Sequence, residues 1–287
     1  MRLRQSSCAG PRADRAETAP RRGRSSARTS ATADAEPPLL APQLAHALRE
    51  DALAVHYQPI VTADHALLAA EALVRWPHPT RGLLGADTVL ACAAEAGLEV
   101  ELDQWVLHTA ARQAADWPAT SLGAVPVSVN LSALTPGHPE LATAVGSALA
   151  AAGLPSGRLV LELVEHGPPA LLPGARQQMQ DLARGGVRWA LDDFGSGHSN
   201  LARLKGLPFD VVKLDRSLTT DLAGPRDTAV LRAATSAAGA LDCTVVAEGI
   251  ETRSQLDQLQ ALGIRGYQGW LFAPALPDHE LRDRFPA

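Results

Sequence analysis

The chain is poor in cysteine and almost without lysine. Its three cysteines, Cys8, Cys92 and Cys243, are too few and too scattered for a disulfide framework or a zinc site, and they fit a reducing, cytoplasmic setting. Of its 26 basic residues only Lys205 and Lys213 are lysines. A lysine kept against that drift toward arginine is a candidate for a task that a planar guanidinium fills badly. No apolar run approaches the length that spans a bilayer, and the N-terminus lacks the apolar core of a secretion signal. No glycine-rich dinucleotide or phosphate-loop fingerprint follows any expected strand, which counts against an open nucleotide-binding sheet.

What is present is an acidic globular body behind a basic leader. The net charge of −5 argues against nonspecific binding to a nucleic acid polymer. Residues 1–38 are Pro-rich and carry eight arginines against four acids, so we expect a disordered tail there and one domain over 39–287. That domain keeps 18 basic against 27 acidic residues. A phosphate-bearing ligand would need local arginine, lysine or metal ions to settle on it.

From Leu39 onward short apolar runs alternate with helical periodicity. Strands are expected at 54–61, 69–76, 125–131, 158–164, 187–191, 209–214, 244–247 and 267–270. Helices are expected at 39–48, 88–98, 102–115, 139–152, 170–184, 199–205 and 227–241. A further helix, ending at Leu262, opens on the capping box Thr252-Arg253-Ser254-Gln255, and another follows Pro277. Eight such units in about 250 residues point to a closed (β/α)8 TIM-type barrel.

In that fold the C-terminal strand ends share one face, so residues distant in sequence meet there. Ala190-Leu191-Asp192-Asp193-Phe194-Gly195-Ser196-Gly197 brings two adjacent carboxylates into a glycine-interrupted loop. Taken alone, the pair suits a turn with an exposed cap, or a cation held between the acids. Glu71, Asn130, Glu162, Lys213 and Glu248 stand at other strand ends, and all but Lys213 are oxygen donors. Oxygen ligands without histidine or cysteine suit Mg²⁺ or Mn²⁺, and the number of carboxylates suits two ions bridged by Asp192. Lys213 is either a compact ammonium beside an attacking water or a salt-bridge partner of Asp192 or Asp193. Arg75 could hold a phosphate bidentately or serve as an exposed pair partner. Gln58 and Gln268 are amides at the first and last strand ends, either apt for a base edge or a phosphate or buried as structural amides.

These residues fall in motifs that resemble the EAL domain, the cyclic di-GMP phosphodiesterases of bacterial signalling. The likeness runs from about residue 40 to 285. It includes Glu71-Ala72-Leu73-Val74-Arg75-Trp76, Tyr57-Gln58-Pro59-Ile60-Val61, Asn130-Leu131-Ser132 and Leu161-Glu162-Leu163-Val164-Glu165. Leu191-Asp192-Asp193-Phe194-Gly195, Lys213-Leu214-Asp215, Ala247-Glu248-Gly249-Ile250-Glu251 and Gln268-Gly269 complete it.

The resemblance implies a barrel whose first strand runs antiparallel, and hydrolysis of cyclic di-GMP to linear pGpG. It assigns Glu71, Asn130, Glu162 and Asp192 to a first metal, and Asp192, Asp193 and Glu248 to a second. Lys213 would position the attacking water, and Glu165 would anchor the loop over 194–200. Gln58, Leu73, Arg75 and Gln268 would contact the ligand, and a homodimer would form through the barrel. The chain departs from the family's usual Thr at Val164, Tyr at His198, Ser at Asn200, Pro at Gly85 and Tyr at Trp270. Those changes leave a second expectation: a weakly active or inactive cyclic di-GMP receptor that works through a regulatory protein partner.

Overall fold

The computed structural model describes residues 40–164, 172–195, 204, 206–220 and 224–286. The expected tail over 1–38 lies outside them, as do Glu165, His166, His198, Asn200 and most of the expected helix over 199–205.

Helix α1 (Leu40–Arg49) leads into a hairpin of β1 (Ala54–Val61) and β2 (Leu67–His78). The two strands pair antiparallel, with Gln58 opposite Glu71. Strand β3 (Gly82–Leu84) folds back on the far end of β2, and helices α2 (Ala86–Ala96) and α3 (Glu99–Ala115) follow. Then come β4 (Val127–Asn130), α4 (Leu141–Ala152), β5 (Leu159–Val164), α5 (Ala175–Arg184) and β6 (Arg188–Phe194). The chain continues through β7 (Val211–Leu214), the single turn α6 (Arg216–Thr219), α7 (Pro225–Gly239) and β8 (Thr244–Ala247). It ends with α8 (Arg253–Ala261), β9 (Gly266–Tyr267), β10 (Leu276–Pro277) and α9 (Asp278–Arg284).

Strands β1, β9, β8, β7, β6, β5, β4 and β2 pair in that order, and the β1–β2 pairing closes the ring. Strand β1 is antiparallel to both neighbours, and β2 and β4 to β9 run parallel. The chain therefore forms the expected eight-stranded barrel with its first strand reversed. A short hairpin can only join antiparallel strands, whereas each later pair has room for a helical crossover. Among the described residues no helix is long and apolar enough to cross a membrane.

The period-2 alternation of each strand sorts its side chains. In β5, Leu159, Leu161 and Leu163 join the apolar core, while Val160 and Glu162 line the barrel interior. Trp189 of β6 is fully buried, and its indole N–H donates to the Met179 carbonyl of α5 at 3.2 Å, fixing strand against helix. Asp192, two positions beyond Ala190 of the interior, is thereby aimed inward.

Three elements escaped the sequence reading. Strands β3 and β10 and the turn α6 are two to four residues long, too short for any periodicity to register. The last barrel strand stops at Tyr267 instead of reaching Trp270. Gly269 ends it: its φ is +156°, and a Cβ there would lie 2.2 Å from the Ile250 carbonyl oxygen. Gly269→Ala is accordingly expected to lower stability by roughly 2–4 kcal/mol in chemical denaturation, since backbone must shift to admit it.

Candidate active site

A regular strand sends consecutive side chains to opposite faces, so Asp192 and Asp193 should diverge. They do not. The β6–β7 register slips between Leu191 and Phe194, and Asp193 sits at φ +57° in the left-handed region. This bulge turns both carboxylates toward the mouth, where Asp192, Asp193 and Glu248 each place an oxygen within 4.8 Å of the others. Glu71, Glu162 and Asp192 form a second such group at the same spacing. Asp192 belongs to both.

Lys213 stands at the centre. Its Nζ lies 3.0 Å from Glu71, 2.8 Å from Glu162, 3.2 Å from Asp192 and 2.8 Å from Glu248. Only 1% of its side chain is exposed. The salt bridge weighed from sequence for Asp192 or Asp193 thus includes Asp192 and extends to three glutamates. Glu71 is fixed further by Asn130 Nδ2 at 2.7 Å and Gln268 Nε2 at 2.6 Å.

One ammonium cannot neutralise four carboxylates, and the acidities follow from that shortage. Burial pushes Glu162 well above the ordinary carboxylate range, and the charges of Glu71 and Asp192 add to the push. Burial likewise raises Glu248 to about 8, with Asp192 and Glu71 contributing. Burial also opposes the charge on Glu71, yet Lys213, Gln268 and Asn130 together hold it below the usual value. For Lys213 burial opposes the charge too, but its four acidic neighbours outweigh it and raise the ammonium well above a free lysine. Asp192 Oδ1 is buried and lacks a properly directed hydrogen bond, although Lys213 is near. An all-oxygen ring that is short of positive charge, with a buried oxygen left over, fits hard divalent cations.

The ring opens into a polar cavity of about 260 Å³. Of the residues singled out in the sequence, Gln58, Glu71, Asp192, Lys213, Glu248 and Gln268 line it. Gln58 lies in the middle of β1, not at its end, and its amide donates to the Ala273 carbonyl at 3.2 Å. Leu73 and Asn130 line an adjoining chamber of about 510 Å³ that is mainly apolar. The half-buried Arg75 lines neither; its Nη1 donates to the neighbouring Val74 carbonyl at 2.8 Å. Glu165 lies outside the described residues.

Sequence reasoning missed several members. Arg216, Gly249, Glu251 and Trp270 form the rim of the polar cavity, and Trp270 is 76% exposed. Arg216 follows Asp215, which caps α6 by accepting from the Ser217 N–H. That cap, readable in principle, is the one sequence signal for its placement.

The model of the EAL domain matches residues 41–275. Cyclic di-GMP phosphodiesterase NbdA of Pseudomonas aeruginosa is 40% identical over 82% of this chain and 30% of its own length. The bifunctional diguanylate cyclase/cyclic di-GMP phosphodiesterase MucR of the same species is 36% identical, over 83% of this chain and 35% of its own length. An uncharacterised Mycobacterium tuberculosis protein is 40% identical over 77% of this chain and 74% of its own length. The solved MucR phosphodiesterase in complex with cyclic di-GMP superposes with a TM-score of 0.76 and 35% identity, covering 83% of this chain and 99% of that one. This chain spans about a third of the length of the two Pseudomonas relatives. With barrel, motifs and matched span in agreement, the chain is a member of the EAL domain family.

Proposed function

We propose that this chain is a metal-dependent phosphodiesterase that hydrolyses cyclic di-GMP to linear pGpG. The observation that carries the proposal is the ring of Glu71, Glu162, Asp192 and Glu248 around the buried ammonium of Lys213. Glu71, Asn130, Glu162 and Asp192 would hold one Mg²⁺ or Mn²⁺, and Asp192, Asp193 and Glu248 a second. Bound there, two divalent cations would supply an easily deprotonated water and charge stabilisation at phosphorus.

The chain's own groups do the rest. Lys213 would direct an N–H toward the incoming water. Asn130 and Gln268 keep Glu71 ionised and aimed by their hydrogen bonds. Arg75 swings from the Val74 carbonyl to a phosphate, Leu73 offers apolar contact to a base, and Gln58 and Gln268 meet the polar edges. The family resemblance would give Glu165, which lies outside the described residues, the task of anchoring the loop over 194–200. One water is consumed, one phosphorus–oxygen ester bond breaks, and the freed sugar hydroxyl takes up a proton. The proposal includes a cytoplasmic homodimer open to a regulatory protein partner, so the specific rate should fall on dilution.

Incubating the protein with cyclic di-GMP and Mn²⁺, then resolving the nucleotides, tests the activity. Linear pGpG should accumulate with metal and not after chelation. Tight binding of cyclic di-GMP without pGpG would contradict the proposal and leave a receptor.

Metal uptake should depend on pH. Glu248 is an ordinary carboxylate in the unfolded chain, near 4.5, and titrates at about 8 when folded without metal. Between those values the folded state holds the extra proton, so metal-free stability falls as pH rises through the window. A cation must displace that proton. Mn²⁺ affinity should therefore climb by up to about tenfold per pH unit from 6 toward 8, with proton release visible in calorimetric titration. An affinity flat across that range would contradict the assignment.

A further inference from the structure

Asp103 took no part in the motifs and has no surface role. It lies on α3, is 4% exposed, and faces the turn that follows β4. Its Oδ2 accepts three successive backbone N–H groups, from Ser132 at 2.9 Å, Ala133 at 2.8 Å and Leu134 at 2.9 Å. Its Oδ1 accepts the Ser132 hydroxyl at 2.6 Å. A carboxylate so engaged replaces the backbone partners that a turn cannot supply for itself.

The turn begins one residue after Asn130, whose Nδ2 reaches Glu71 at 2.7 Å. On the other side the Leu131 N–H donates to the Glu162 carbonyl at 3.1 Å. Asn130 is therefore held between β5 and the Asp103 clamp. Asp103, Asn130, Leu131 and Ser132 also share the wall of the 510 Å³ chamber.

We infer that Asp103 is a positioning residue: by clamping the turn after β4 it sets the aim of Asn130 in the oxygen ring and the shape of the adjoining apolar chamber. The inference rests on the proposed function, because it gives Asn130 a ligand's task. Without the clamp three backbone N–H groups lose their acceptor, the turn relaxes, and the Asn130 carbonyl oxygen no longer points at one place. Residues that orient a metal ligand from behind typically change metal affinity by about 10–100-fold.

The test is Mn²⁺ affinity of the full chain by calorimetric titration, without nucleotide, for the wild type, Asp103→Ala and Ser132→Ala. Asp103→Ala, which removes the acceptor of all three backbone N–H groups, should weaken Mn²⁺ binding by about 10–100-fold. Ser132→Ala, which leaves the three backbone donors on Oδ2, should fold normally and weaken it by about two- to fivefold. At saturating Mn²⁺ both variants should recover most of their kcat. A purely structural role would lower Tm and leave Mn²⁺ affinity at the wild-type value in both variants, overturning the inference. A rise in KM with unchanged Mn²⁺ affinity would overturn it as well, since Asp103 would then meet the substrate directly. If the wild type itself takes up no Mn²⁺, the proposed function fails and this inference with it. If the wild type binds and both variants match it, this inference alone fails.

Discussion

Glu71→Ala is expected to remove cyclic di-GMP hydrolysis, by about 10³-fold or more, while the barrel stays folded. Glu71 is the residue on which Asn130, Lys213 and Gln268 all converge, so its loss dismantles one side of the ring. Glu71 is the member of the ring whose ionised form its partners stabilise, since despite burial Lys213, Gln268 and Asn130 hold it below the usual carboxylate value. Deleting it leaves those buried donors short of an acceptor, so thermal denaturation at neutral pH without metal should show a Tm below the wild type. An intact rate in Glu71→Ala would mean that this carboxylate holds no essential ion.

The opposite change, Lys213→Met, keeps the volume and removes the charge. Glu71, Glu162, Asp192 and Glu248 would then have no ammonium within reach among the described residues. Breaking a buried ion pair from one side typically costs about 3–5 kcal/mol, and here much of that loss should appear only without metal. Saturating Mn²⁺ should restore stability, because the cations take over the neutralisation. Turnover should still remain lower by about 10²–10³-fold, since no N–H directs the water. Equal stability with and without Mn²⁺ would mean that the carboxylates never depended on a cation. A wild-type rate would return Lys213 to a purely electrostatic role.

Much of this was legible in the letters. The apolar runs reaching Asn130, Glu162, Asp192 and Lys213 announced a barrel mouth, because a parallel strand buried on both sides has little other reason to close on a charge, whereas Glu71, expected at a strand end, lies inside β2. The orientation of β1 was not legible that way, since alternation looks alike in parallel and antiparallel strands; it followed from the family resemblance alone. The bulge at Asp192 and Asp193 was hidden for a related reason. It comes from the pairing of β6 with β7, a property of two strands that neither sequence carries alone. Asp103 read as one more acid on a helix, because its four hydrogen-bond donors lie about thirty residues away along the chain. Arg216 entered the rim through a single-turn helix too short to leave a period, and Trp270, expected inside the last strand, stands beyond its end at Tyr267. Strand ends were visible and loop-borne neighbours were not.

Anomalous diffraction from crystals of the protein grown with Mn²⁺ tests the central claim most directly. Two peaks should stand in the mouth, one among Glu71, Asn130, Glu162 and Asp192, the other among Asp192, Asp193 and Glu248, with Asp192 touching both. A mouth empty of manganese at saturating concentration, with Lys213 still bonded to all four carboxylates, would contradict it.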